Sequence, residues 1–177
     1  MSAVDYICDN ITFIHNGFRQ AADGLTAEQL HFVPEGQSHS IAWVMWHGAR
    51  IEDLFVNQLF EGRPAEFDGG GWAAKTGLPE KGFGTGQSTE DAAAVRIVNL
   101  DAFNEYRETV VKQADAFLAG LSDGDLTSRS VQMRDRTEQL GESINLHMVT
   151  HLNGHRGEIN LLRGMMGFEP VLVNRGG

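Results

Sequence analysis

Apolar residues recur at three- and four-residue intervals along four stretches of the chain, the spacing that lines one face of an α-helix. Over residues 6–25 they are Ile7, Ile11, Ile14, Phe18, Ala21 and Leu25. From Ser40 to Phe60 the stripe comprises Val44, His47, Ile51, Leu54 and Phe55, with Ser40 as the N-cap and EGRP as the terminator. A third helix opens at STED, where Ser88 caps and Asp91 answers it three residues later, and continues through Leu100, Phe103, Val110, Ala114 and Phe117 to Gly120. The fourth opens at Thr137 or Glu138, runs to Met166 and stops at Gly167. Four long helices and no internal repeat predict an all-α fold.

Two stretches break this pattern. Residues 62–87, GRPAEFDGGGWAAKTGLPEKGFGTGQ, hold eight glycines and no sustained periodicity. Loops beyond about 12–15 residues are uncommon in compact domains and often act as lids or binding loops. Phe67, Trp72 and Phe83 are therefore either covers for a site or pins that hold a crossover connection to the helices. Residues 123–136 are polar, and a short turn or hairpin is expected there.

Composition narrows the classes of function. A length of 177 residues fits one domain spanning 1–177. The formal charge of −10 and a pI near 5.0 argue against nucleic acid, whose phosphates call for clustered Lys and Arg. The single Cys8 cannot form an internal disulfide, and the first residues, MSAVDYICDN, have aspartates where a signal peptide has basic residues. A cytoplasmic location is expected. No membrane partner is expected either, because even IAWVMWHGARIEDLFVNQLF is broken by His, Arg, Glu and Asp.

The candidate chemistry lies in histidine spacing. Three of the seven histidines, His147, His151 and His155, stand four residues apart in LHMVTHLNGHRGEINLLR. At about 100° per residue, with Ile144 at zero, His151 falls at about −20° and His155 at about +20°, astride the apolar face. His147 at about −60° and Glu158 at about −40° lie on its shoulder. Each four-residue step rises about 6 Å, so one ion can be shared by adjacent histidines but not by His147 and His155. Buried imidazoles need partners, and a divalent cation satisfies two at once. His47, in the buried stripe of the second helix, is the best third ligand, ahead of His15, His31 and His39. Taken alone, His47 reads as a core residue bonded to a carbonyl or carboxylate; taken with the pair, it reads as a ligand. Trp43 and Trp46 read as packing residues.

The histidine in WVMWHGARIEDLF, the glycine-rich crossover ending in GFGTGQS and the signature HMVTHLNGHRGEINLLRGMMG together resemble the DinB-like superfamily of metal-binding four-helix bundles. The resemblance spans nearly the whole chain, and HxxxHRGE is its most specific part. It implies an up-down-down-up bundle with the long crossover between the second and third helices, and often a homodimer. By motif position it implies metal ligation by His47, His151 and His155. Zinc, nickel or a related divalent ion is the implied metal, and a low-molecular-weight thiol such as mycothiol, bacillithiol or glutathione the implied co-substrate.

Three readings of function follow. In the first, an open metal holds a thiol for transfer to a small electrophile. The second replaces the thiol with water in a metal-dependent hydrolase, Glu158 then serving as proton acceptor or as the partner that orients a ligand imidazole. In the third, the histidines close around an ion in a non-enzymatic structural or sensing dimer. A fourth protein ligand would favour the third reading.

Overall fold

The computed structural model describes residues 1–35 and 39–171. A reciprocal capping box between Ser2 and Asp5 opens α1 (Ala3–Arg19), three residues before the apolar stripe suggested. The helix also ends earlier than expected. The carbonyls of Ala21 and Asp23 accept hydrogen bonds from the Arg163 guanidinium, so the segment after Arg19 is held as turns by a tertiary partner. A single turn, α2 (Ala27–Leu30), follows. Ser40 caps α3 (Ile41–Asp53) as expected, its side chain accepting from the Trp43 amide. The helix continues as a π-helical segment, Leu54–Phe60.

The glycine-rich stretch is not structureless. It contains α4 (Glu66–Gly69) and α5 (Trp72–Thr76), followed by a loop that returns over α3. Asp53, fully buried, ties this stretch down: its carboxylate accepts from the amides of Glu66 and Phe67, from the Asn57 side chain and from the Tyr106 hydroxyl.

The expected third helix is two helices. Ser88 caps α6 (Thr89–Ala94), Val95 turns extended, and Asn99 caps α7 (Leu100–Ala119). The break has tertiary causes. The amides of Val98 and Asn99 bond to Thr76 O at 2.8 and 3.3 Å, and the Ile97 amide bonds to His31 Nε2 at 3.0 Å. Those donors are lost to a continuous helix, and the Asn99 side chain supplies the new N-terminus.

After α8 (Asp123–Ser128), the polar stretch forms the hairpin, with β1 (Ser130–Gln132) antiparallel to β2 (Thr137–Gln139) and Val131 opposite Glu138. Thr137 and Glu138 are therefore strand residues. The last helix opens at α9 (Leu140–Ser143), passes through a π-helical segment, Ile144–Thr150, and finishes as α10 (His151–Met165). Gly167, at φ +82°, marks its end.

Among the described residues the fold is predominantly helical, with one short hairpin. The four long helices pack on one another around two apolar clusters, and each contributes to both. Ile14, Trp46, Phe103 and Leu152 belong to one; Ile11, Phe55, Phe117 and Met148 belong to the other. No helix among the described residues is long and apolar enough to cross a membrane. On α3 the changeover between clusters falls just past His47, and on the last helix it falls at His151.

Candidate metal centre

His47, His151 and His155 converge where the two clusters meet. One ring nitrogen of each lies within 4.8 Å of the others. The Nε2 of His151 stands 3.3 Å from that of His47 and 3.0 Å from that of His155. Two nitrogens about 2.0–2.1 Å from one tetrahedral ion would stand about 3.3–3.4 Å apart, so the rings are close to the spacing of shared ligands.

The outer nitrogens show which tautomers these rings hold. His47 Nδ1 donates to the carbonyl of Phe83, and His155 Nδ1 donates to Glu158 Oε2 at 2.9 Å. Both protons are thereby placed on Nδ1, and each Nε2 presents a lone pair to the centre. A single N–H on His151 could satisfy only one of them; a cation satisfies all three. Burial pushes the His47 pKa down to about 4 and lowers that of His151, so both rings are neutral at neutral pH, as ligation requires. The donor set fits a divalent ion. Among the described residues no fourth His, Cys, Asp or Glu joins the group.

Each element positions its ligand for a local reason. α3 is buried along its whole length, so His47 is held by packing, with Trp43 stacked on it at 4.6 Å and His39 stacked on Trp43 at 3.7 Å. His151 and His155 are neighbours one turn apart on regular α-helix. His147 lies within the π-helical segment that precedes them, where the wider turn changes the register that a 3.6-residue count assumes. It stacks on Phe55 at 4.3 Å and meets Glu138 at 3.1 Å, outside the cluster.

The other histidines take separate partners. His15 is buried against Glu52 at 2.7 Å; burial opposes its charge, yet Glu52 leaves its pKa raised. His31 bonds to Ala27 O and accepts from Ile97. His39 reaches only to 3.7 Å from Glu158. Glu158 contacts neither Arg156, which bonds to Asn153, nor Arg163, which holds the Ala21 turn. Its hydrogen bond to His155 lowers its own pKa.

Phe67 and Trp72 are pins. Both pack on Tyr106 in the core, and Arg50 lies 4.1 Å over the Phe67 ring. Phe83 alone of the three stands beside the histidines, and it is the backbone oxygen that binds. That contact was missed from sequence. Its signal was the pair of glycines around Phe83: Gly82 and Gly84 have φ of +84° and +95°, which turn the carbonyl toward α3. A Cβ on Gly84 would meet His47 Nδ1 and Trp43, each at 2.8 Å.

A family model described as the DinB superfamily matches residues 11–159. Among solved structures, a conserved protein from Enterococcus faecalis is similar at a TM-score of 0.73 and 19% identity, covering 94% of this chain and 99% of that one. No curated protein matches the sequence.

Proposed function

The chain belongs to the DinB superfamily, and on that premise we propose that it is a divalent-metal enzyme that transfers a low-molecular-weight thiol to a small electrophile. The carrying observation is the convergence of three Nε2 atoms, with the outer protons of His47 and His155 engaged elsewhere so that both of those rings turn a lone pair to the centre. A divalent ion held by three neutral imidazoles keeps open positions, acts as a Lewis acid and favours the thiolate of a bound thiol at neutral pH. The set of three favours an open site over a closed structural one.

The chain's own residues do the remaining work. Phe83 O and Glu158 fix the tautomers of His47 and His155, and Trp43 limits rotation of the His47 ring. We assign Glu158 a positioning role, since its carboxylate is spent on His155. The single domain is read as the up-down-down-up four-helix bundle with residues 62–87 as the crossover. A homodimer is supported by Leu161 and Met165, 65% and 56% exposed one turn apart on α10.

The test is titration of the cobalt-substituted protein with mycothiol, bacillithiol and glutathione. A sulfur-to-metal charge-transfer band is expected with one of them. No spectral change at millimolar thiol, together with turnover of esters or amides, would replace this reading with the hydrolase.

A further inference from the structure

Beside the histidine cluster lies a cleft of about 580 Å³ whose walls are almost wholly apolar. Phe55 and Leu59 line it from the π-helical end of α3, Phe83 from the glycine-rich loop, Met133 from the hairpin and Leu146 from the last helix. His151, which also stands in the metal centre, lines it too. Leu146 is 42% exposed, so the cleft carries apolar surface that the chain itself leaves uncovered.

One cation borders this cleft. Arg134, exposed at the hairpin turn, has no acidic partner among the described residues, whereas Arg136 two residues on is taken by Glu138 and Asp135. Arg96, Arg129, Arg156 and Arg163 also lack a carboxylate but bond to carbonyl or amide oxygens, whereas Arg134 has neither kind of partner among the described residues. A guanidinium presents a planar fork of donors matched to a carboxylate.

We propose that this cleft binds the electrophilic substrate and that the substrate is a small amphipathic carboxylate. Its carboxylate pairs with Arg134, its hydrocarbon body packs between Phe55, Leu59, Met133 and Leu146, and its far end faces His151. This deepens the transferase reading and rests on it for the identity of the reacting end, while the binding claim stands on the cleft. A neutral molecule of the same shape would fill the walls without using Arg134, so the charge is what distinguishes this class of ligand.

Isothermal titration of the metal-loaded protein with octanoate and with octanamide tests it. Octanoate binds about fivefold more tightly than octanamide, the scale of an exposed ion pair, and added salt shrinks the difference. Arg134→Met abolishes the preference and leaves octanamide binding unchanged; Leu146→Asp weakens both ligands. Equal binding of the two ligands to the wild type, or a preference that survives Arg134→Met, overturns the proposal. Elemental analysis of each sample separates the two readings. A metal-loaded protein without the preference removes the cleft assignment alone, and a protein that cannot be loaded yet keeps the preference removes the metal reading alone.

Discussion

Replacing Glu158 with Ala removes the acceptor that holds His155 Nδ1–H at 2.9 Å. The ring then loses both its hydrogen-bonded carboxylate and the tautomer that aims Nε2 at the cluster. Partners of this kind typically contribute about 10–100-fold to metal affinity. The Glu158 side chain is 44% exposed, so water competes for it and screens its charge. The expected loss is therefore at the low end, about tenfold or about 1.4 kcal/mol. Glu158→Gln keeps an acceptor without the charge and should fall between the variant and the wild type. Competition against a chromophoric chelator at pH 7.5 measures the dissociation constant, and circular dichroism checks that the helices are retained. An affinity within twofold of wild type for Glu158→Ala, accompanied by a hundredfold loss of turnover, would refute the reasoning. Glu158 would then act on the reacting atoms and not through His155.

Three further outcomes are expected. Ala at His47, His151 or His155 should sharply lower metal content by elemental analysis, whereas His147→Ala should leave it unchanged, since that ring is held by Glu138 and Phe55. Asp53→Ala should destabilise the protein by about 3–5 kcal/mol in urea unfolding, because it strips the acceptor from buried donors on Phe67, Asn57 and Tyr106; a loss under about 1 kcal/mol would mean that water replaces it. In the metal-free protein, His47 has a folded pKa of about 4 against an ordinary 6.5. The unfolded chain takes up that proton first, so stability is complete above pH 6.5 and declines toward pH 4, by about 3 kcal/mol. His47→Gln should show a correspondingly shallower decline.

The helical stripes, the Ser40 cap and the Gly167 stop were legible because each depends on neighbours within a turn. The His151 and His155 pair was legible for the same reason, since a four-residue step on regular helix returns a side chain to one face. Placing His47 opposite them needed only the premise that buried stripes face each other. Where packing competes with the local pattern, sequence reasoning stopped short. Thr76 and His31 capture amides that would have continued a helix through Val98, and Arg163 captures the carbonyls beyond Arg19. The π-helical turns before His151 widen the helix in a way no 3.6-residue count contains, and Glu138 draws His147 to the hairpin. The Phe83 carbonyl is further still from sequence, because every residue has a carbonyl and only the tertiary path of the glycine-rich loop brings this one to His47. Residue type and helical period thus selected which imidazoles share a face and set the Glu158 partner of His155 within one turn, whereas a contact between distant segments decided which nitrogen of His47 carries its proton.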